Sequence, residues 1–260
     1  MIAFASNSLL CRAALKQTNI DGATFTFTRI FSGAVALWLL MKLQRKIVVD
    51  RTAMPLVESL SGSSLILRHS SLCYGNWPSA LALFIYAAAF SFAYIDLSAG
   101  MGALLLFGEV QATMILWGLR KGERLNTIRI VGFIVAVAGL VVLVFPGLSA
   151  PPLISSILML GAGLAWGIYS LRGKGERNPA ATTTGNFVRA VPFAAAISIL
   201  FVRSAHVDLA GVTFAIISGA ITSGLGYVIW YSALPGLKAV SAATFSRCGT
   251  SSLKFAIVSR

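Results

Sequence analysis

GALLLFGEVQATMILWGL occupies residues 102–119 and contains one charged side chain, that of Glu109. About 20 helical residues, rising about 1.5 Å each, cross the roughly 30 Å hydrocarbon core of a bilayer. A segment in lipid must satisfy its own backbone hydrogen bonds, and the apolar/polar alternation of a transmembrane strand is not visible in the sequence. The run therefore predicts a membrane-spanning helix.

Similar runs recur along nearly the whole chain. Of its 260 residues, 57% are hydrophobic and only 11% are charged, which lies outside the usual composition of soluble globular domains. We expect an all-α integral membrane protein with about eight complete spans and a partial ninth that begins near Pro235. The eight predicted spans cover residues 1–15, 22–41, 77–95, 98–119, 127–146, 151–171, 181–202 and 209–231.

The charged residues predict how the chain is oriented. There are 21 Lys and Arg against 8 Asp and Glu, a formal net charge of +13, and the cations concentrate in the connections at 42–75, 120–129 and 172–177. Alternate connections, such as FPGLSAPP at 145–152, carry few or none. The positive-inside rule makes the cation-rich connections and the N-terminus cytoplasmic. Membrane topology therefore accounts for the basic charge, and we expect no nucleic-acid partner.

The chain also resembles itself at fixed offsets. At an offset of 160 residues, FTRIFSGAVAL aligns with FVRAVPFAAAI, which places Arg29 on Arg189. Further along, at an offset of 137, FSFAYIDLSAG aligns with YVIWYSALPGL, which places Tyr94 on Tyr231. Each unit would contain five spans, an odd number, so the second copy would be inverted in the membrane. Inverted repeats are typical of secondary transporters with a site near the bilayer midplane.

Several segments together carry a family resemblance. In chain order they are SNSLLCRAAL, IDGATFTFTRIFSGAVAL, GALLLFGEVQATMILWGLRKGERL, IVGFIVAVAGLVVLV, LAWGIYSLRGKG and YSALPGLKAVSAATF. Over about residues 1–245 the chain resembles an EamA-like permease of the drug/metabolite transporter (DMT) superfamily. The resemblance implies ten spans built as two five-helix inverted repeats. It also implies export or exchange of a small metabolite, driven by an ion or substrate gradient without ATP.

The resemblance divides the chain into two repeats and a tail. Residues 1–148 would form the first repeat, with a long cytoplasmic loop at 42–76, and 149–245 an incomplete second. The tail at 246–260 departs from the family pattern, because a further apolar span, an acidic turn and a tenth span would follow there. An alternative is therefore a non-transporting permease remnant, truncated at the C-terminus and, given the short first span, at the N-terminus as well.

Two kinds of ionisable side chain are predicted to lie within the membrane. Arg29 is about seven residues into its span, where an Arg costs about 2.5–3.5 kcal/mol on insertion scales, so it should face the bundle interior or snorkel. Arg189 should lie at a similar depth from the other face. Both fit either a structural role or substrate and gate electrostatics. Glu109 fits either a proton or cation site, alone or paired with Arg29, or a structural ion pair.

Amphipathic side chains near span ends, or in the first span of each half, are the remaining candidates for a pocket lining. Interface-belt or packing roles would also account for each of them. Trp230 is one of these groups, and Gly163 with Gly167 forms a GxxxG pattern that indicates close helix packing. The candidates for substrate binding or coupling are Asn7, Arg29, Tyr94, Glu109, Trp166, Tyr169, Arg189 and Tyr231.

The sequence argues against an enzyme and against a channel. It contains neither GxSxG nor HExxH, Asp96 stands alone near a span end, and no filter-like repeat is present. The three cysteines lack metal-type spacing, so we expect no metal or cofactor. The expected partners are the lipid bilayer, a small-molecule metabolite and a coupling proton or ion. The expected location is a bacterial plasma (inner) membrane.

Overall fold

The computed structural model describes residues 2–52, 74–122, 127–144, 151–176 and 178–233. Within those ranges the chain is helical and contains no β-strand. The helices are α1 (Ile2–Gln17), α2 (Gly22–Thr52), α3 (Trp77–Ala93), α4 (Ala99–Arg120), α5 (Thr127–Val144), α6 (Leu153–Gly173), α7 (Pro179–Leu200), α8 (Leu209–Ile217) and α9 (Gly226–Ala233). A π-helical segment, Ser218–Leu225, joins α8 to α9, and a short 3-10 turn, Val202–Ser204, precedes α8.

The prediction of a multi-pass helical membrane protein is confirmed at the level of its apolar helices. Five segments of the described chain are long and apolar enough to cross a membrane: Gly22–Gln44, Ala99–Arg120, Leu153–Gly173, Pro179–Leu200 and Leu209–Trp230. Helix α3 is apolar but shorter, and the predicted spans at 1–15 and 127–146 coincide with α1 and α5. The predicted ninth span and the tail at 246–260 lie outside the described residues.

The predicted second span, 22–41, agrees closely with the apolar segment Gly22–Gln44, but the helix itself extends further. Helix α2 continues through Lys42 to Thr52, so part of the loop predicted at 42–76 is helical. The residues that follow the apolar run, LQRK, are good helix formers, and loss of hydrophobicity does not end a helix. Residues 53–73 of the predicted loop lie outside the described part of the chain.

Outward-facing side chains suit a lipid environment. Large apolar groups on several helices are exposed, and a soluble monomer rarely exposes so continuous an apolar surface. Examples are Leu104 and Leu116 on α4, Ile154 and Ile157 on α6, and Ile229 on α9. The buried core is more mixed: beside leucines and isoleucines it contains many alanines and aromatic and hydroxyl side chains.

Polar side chains cap the helix starts. Asn76 accepts from the backbone N–H of Ser79 at 2.9 Å at the start of α3, and Asn178 accepts from Ala181 at 3.1 Å at the start of α7. A proline follows in the first turn of each helix, where its missing N–H costs nothing. Ser98 caps α4 in the same way. Each cap satisfies a backbone N–H group of the first turn and so favours a helix start at that position.

The connections before α2 and before α8 are joined to each other. The Asp21 carboxylate accepts from the backbone N–H groups of Thr24 at 3.0 Å and Ala23 at 2.9 Å, and from that of His206 at 3.0 Å. Partial burial opposes ionisation, but these hydrogen bonds outweigh it and hold the pKa of Asp21 below its ordinary value. Asp208 accepts in turn from the backbone N–H of Asn19 at 3.2 Å.

Alternate connections lie at the same end of the bundle. At one end, Ser155 at the start of α6 donates to Asp96 after α3 at 2.7 Å. At the other end, Arg172 near the end of α6 donates to Ser79 at 3.0 Å and Asn76 at 3.2 Å, at the start of α3. Helices α3 and α6 therefore run antiparallel, as expected for two spans that have two further spans, α4 and α5, between them.

The helices pack around a central group formed by α2, α3, α6, α7 and the π-helical segment. Helix α3 packs on α6 and α7, α2 packs on α7 and the π-helical segment, and α1 packs on α8 and the π-helical segment. Helix α4 covers α6 through the predicted GxxxG positions. A Cβ added at Gly163 would lie 2.8 Å from the carbonyl oxygen of Leu106, and one at Gly167 would lie 2.7 Å from Thr113 Cγ2. The close packing predicted for this motif is confirmed.

Candidate functional site

Arg29 lies in the interior of the bundle, with 1% of its surface exposed. Its Nε donates to Ser223 Oγ at 3.2 Å, and its Nη2 donates to the hydroxyl oxygens of Tyr86 at 3.1 Å and Tyr227 at 3.4 Å. The guanidinium carbon also lies 4.9 Å from the ring centre of Phe90, within cation–π range. The expectation that Arg29 turns away from lipid is confirmed.

Asn7 on α1 joins the same network from the other side. Its Nδ2 donates to the Tyr86 hydroxyl at 3.2 Å. Its Oδ1 accepts from Ser218 Oγ at 2.6 Å and from Thr222 Oγ1 at 3.2 Å. The Tyr86 hydroxyl thus accepts from both Asn7 and Arg29. We call this network the arginine cluster; its members are Asn7, Arg29, Tyr86, Ser218, Thr222, Ser223 and Tyr227.

Aromatic rings form one wall of the arginine cluster. The Trp166 ring lies 4.4 Å from the Tyr227 ring and 5.1 Å from the Tyr86 ring, measured between centroids. Tyr169 lies 5.5 Å from Trp166, and Phe187 of α7 lies 5.8 Å from Tyr227. Two of the predicted pocket residues, Trp166 and Tyr169, therefore lie against the tyrosines of the arginine cluster. Nearby, Trp230 donates to Ser170 Oγ at 3.3 Å.

The π-helical segment supplies three hydroxyl groups to the arginine cluster. Ser218, Thr222 and Ser223 all lie in it and are buried. Its backbone also approaches α2 closely, because a Cβ added at Gly219 would overlap the carbonyl oxygen of Arg29 and Ser32 Oγ. Single turns of π-helix are frequent at functional sites, since the wider turn changes which side chains face inward.

Glu109 lies apart from the arginine cluster. Its carboxylate accepts from Thr113 Oγ1 of the same helix at 3.2 Å, and its Cβ faces Gly163 on α6. All hydrogen bonds described for Arg29 go to hydroxyl groups, so the proposed pairing of the two side chains is absent from the structure. The reason is geometric: α4 covers the outer side of α6, while Arg29 extends from α2 into the centre.

Arg189 also lies outside the arginine cluster. Its Nη1 donates to the backbone carbonyl oxygen of Tyr74, just before α3 begins, at 2.6 Å. It also donates to that of Gly185, in α7 itself, at 3.0 Å. These contacts match the structural alternative, in which the guanidinium pairs with backbone carbonyls. Arg29 and Arg189, which the internal repeat aligns with each other, therefore have different surroundings.

The two remaining predicted residues lie at helix ends. Tyr94 follows α3 and is buried; its ring packs edge-on against Phe90 at 4.7 Å, and its hydroxyl donates to the carbonyl oxygen of Ala99 at 3.4 Å. Its backbone carbonyl accepts from Arg12 Nη1 at 2.8 Å. Tyr231 belongs to α9, and its side chain lies outside the described part of the structure.

The sequence analysis missed the hydroxyl-bearing partners of Arg29. They are Tyr86, Ser223 and Tyr227; the partners of Asn7, Ser218 and Thr222, were missed as well. One signal was available, because the offset of 137 that places Tyr94 on Tyr231 also places Tyr86 on Ser223 and Phe90 on Tyr227. In the part of the chain that the structure describes, no group of three or more His, Cys, Asp or Glu side chains is arranged to hold a metal ion.

Comparison with known proteins supplies a relative. The chain is 50% identical to the uncharacterized protein PA1977 of Pseudomonas aeruginosa over 244 residues, which are 94% of this chain and 77% of PA1977. The chain belongs to the PA1977 family. No protein-family model matches it, and no solved structure matches it. The PA1977 relationship carries no transport function, so the EamA-like resemblance stays a prediction from the sequence.

Proposed function

We propose that this member of the PA1977 family is a secondary transporter that exports or exchanges a small metabolite by alternating access at the arginine cluster. One observation carries the proposal. A buried Arg about seven residues into an apolar helix is held by polar groups from both halves of the chain, and ionisable residues inside membrane helices usually mark substrate or ion pathways.

The surroundings of Arg29 support an arrangement of two inverted repeats. On one side lie Tyr86 and Phe90 of α3; on the other lie Ser223 and Tyr227 of the π-helical segment and α9. These two pairs are separated by the same offset, 137 residues, that the internal repeat predicts. Repeat-equivalent positions thus flank a single guanidinium, and the interface between repeats is where secondary transporters bind substrate.

The packing of whole helices supports the same arrangement. If α1, α2 and α3 correspond to α6, α7 and the α8–α9 segment, each contact has an equivalent. Helix α1 packs on the α8–α9 segment as α6 packs on α3, and α2 packs on that segment as α7 packs on α3. Helices α2 and α7, which would be equivalent positions of the two repeats, pack on each other. Ten spans in two inverted repeats remain part of the proposal.

In the proposed cycle, rocking of one repeat against the other opens the arginine cluster to alternate sides of the membrane. Asn7, Arg29 and Tyr227 are all buried, and in this cycle that burial would correspond to an occluded state. The π-helical segment bonds to α1 and α2 through short side-chain hydroxyls, which exchange partners without large backbone movement. Glu109, half-buried on α4 and outside the cluster, is the proposed site of proton or ion coupling.

Metabolite export from cells tests this proposal. A bacterial strain that lacks its own copy of the gene would express the wild-type chain, Arg29→Ala or Arg203→Ala. Arg203 is exposed and lies outside the cluster, so Arg203→Ala is the matched control. We expect at least one metabolite to accumulate in the medium with the wild type and the control, and not with Arg29→Ala. Equal export by Arg29→Ala would remove the arginine cluster from the transport path.

Counterflow in proteoliposomes then tests the role of Glu109. With the exported metabolite on both sides, exchange needs no coupling ion, so Glu109→Gln should still exchange. Uphill transport driven by an imposed pH gradient should be lost in Glu109→Gln if this carboxylate carries the coupling proton. Undiminished proton-driven transport in this variant would place the coupling elsewhere.

A further inference from the structure

We infer that the ligand of the arginine cluster is a small monoanion whose charge is a carboxylate group, bound through Nη1 of Arg29. The inference rests on the proposed function and names the substrate class of that site. Two separate observations on Arg29 support it. One concerns its positive charge and the other concerns its N–H groups.

The positive charge of Arg29 has no partner among the described residues. A guanidinium stays protonated in proteins, and an isolated buried charge is costly unless it is paired. The acidic groups whose side chains the structure describes have their hydrogen bonds elsewhere. Asp21 bonds to His206, Asp96 to Ser155, Glu109 to Thr113, Glu176 to Thr182, and Asp208 to Asn19. A bound anion would supply the missing charge.

The N–H groups of Arg29 are satisfied on one side only. Nε donates to Ser223, and Nη2 donates to Tyr86 and Tyr227. Nη1 is buried and has no hydrogen-bond acceptor within the described chain. Buried donors are rarely left unpaired, because each unpaired group loses its hydration without replacement. A carboxylate oxygen at Nη1, reached when one side of the cluster opens, would both accept these N–H groups and neutralise the charge.

The surroundings favour a single negative charge over a phosphate. Arg29 is the one cation in the arginine cluster, since Arg12 directs its donors to the carbonyl oxygens of Tyr94 and Ile95, and Arg189 to that of Tyr74. One guanidinium balances one negative charge. The rings of Phe90, Trp166 and Phe187 around the cluster suit an apolar body rather than further charged groups.

Binding of matched acids and amides tests the inference. The purified full chain in detergent would be titrated with acetate, butyrate and benzoate, and with acetamide, butyramide and benzamide, which have the same shapes without the charge. Sodium chloride would be a further arm. Ligand binding raises the unfolding temperature, and the buried Trp166 provides a second readout through its fluorescence. We expect at least one carboxylate to bind about tenfold or more tightly than its amide and than chloride.

Variants at Arg29 connect this binding to the guanidinium. Arg29→Met keeps the length of the side chain and removes the charge, Arg29→Lys keeps the charge, and Arg203→Met is the exposed control. We expect carboxylate binding to weaken about tenfold or more in Arg29→Met, less in Arg29→Lys, and not in the control. If Arg29→Met does not fold, Arg29→Lys and the acid–amide comparison in the wild type decide the question.

Several results would overturn the inference. They are no binding of any carboxylate by the wild type, equal binding of an acid and its amide, equal binding of chloride, and unchanged carboxylate binding by folded Arg29→Met. The transporter proposal fails separately. Transport of neutral or cationic metabolites that survives Arg29→Met would overturn only the anion assignment, whereas charge-selective binding without any transport would overturn only the transporter.

Discussion

Arg29 is stabilised by hydroxyl groups that replace water around its guanidinium. Three of its hydrogen bonds go to side chains on α3, the π-helical segment and α9, and each acceptor is itself buried. In hydrocarbon such bonds have no competition from solvent, so each hydroxyl matters for both the position of the arginine and the stability of the bundle. Tyr86 accepts from two elements at once, from Asn7 of α1 and from Arg29 of α2.

Tyr86→Phe tests that connection. The substitution keeps the ring that packs on Trp166 and removes the acceptor used by Asn7 and Arg29. Leaving buried donors unpaired costs about 1–3 kcal/mol each, so we expect a loss of at least about 1–3 kcal/mol in the free energy of unfolding. Denaturation of the purified chain in detergent would measure it. Tyr74→Phe is the control, because the described bonds of Tyr74 involve its backbone; equal stability of the two variants would contradict the network.

At the scale of helical elements, small residues decide which helices touch. The segment SGAITSGL, which forms the π-helical turn, combines glycines with short hydroxyl side chains. Gly219 allows its backbone to lie against α2, and the hydroxyl groups of Ser218 and Thr222 then reach Asn7. Between α4 and α6, Gly163 and Gly167 play the corresponding part against Glu109 and Thr113 of α4.

Two glycines on α6 provide a matched pair for this packing. A Cβ at Gly163 would lie 2.7 Å from Glu109 Cβ, whereas a Cβ at Gly161 would have no neighbour within 4 Å. We expect Gly163→Ala to destabilise the chain by about 1–3 kcal/mol through overpacking. Gly161→Ala should be neutral or stabilising by up to about 1 kcal/mol, because alanine is the better helix former. Thermal unfolding of both variants would measure the difference, and equal effects would show that α4 and α6 are not held by this contact.

At the scale of the whole molecule, the end of the bundle at which a connection lies is related to how many cations that connection contains. The contact between Ser155 and Asp96 and the contact between Asp21 and His206 both join cation-poor connections. Arg172 lies at the opposite end of α6, beside the start of α3. Arg172 belongs to the cation-rich connection at 172–177, so the positive-inside rule predicts that this end of α3 and α6 faces the cytoplasm.

Cysteine labelling would test the predicted orientation. In a background with Cys11, Cys73 and Cys248 replaced by serine or alanine, Lys121→Cys follows α4 and Pro151→Cys precedes α6. We expect a membrane-impermeant maleimide added to intact cells to label Pro151→Cys only, and to label Lys121→Cys only after the membrane is opened. Labelling of Lys121→Cys in intact cells would reverse the orientation. Full labelling of both variants in detergent is the control for reactivity.

Most of the helices were predictable because hydropathy is a property of neighbouring residues. Runs of apolar side chains near 20 residues long favour a helix in lipid whatever surrounds them, and the spans predicted at 98–119, 151–171 and 181–202 lie close to α4, α6 and α7. Hydropathy predicts where an apolar run ends, which need not be where the helix ends: the backbone hydrogen bonding of α2 continues to Thr52.

The sequence by itself determined that the chain forms helices long and apolar enough to cross a membrane. Because polar groups in lipid are costly, it also predicted that Arg29 faces the bundle interior or snorkels. Only the tertiary structure decided which groups meet it. Tyr86, Ser223 and Tyr227 are 57, 194 and 198 residues away along the chain. The rotation of each helix, the close approach at Gly219 and the π-helical turn bring their hydroxyls to one guanidinium, while the same geometry leaves Glu109 and Arg189 elsewhere. Hydrogen bonds depend on such distances within tenths of an ångström, which a linear pattern of apolar residues does not encode.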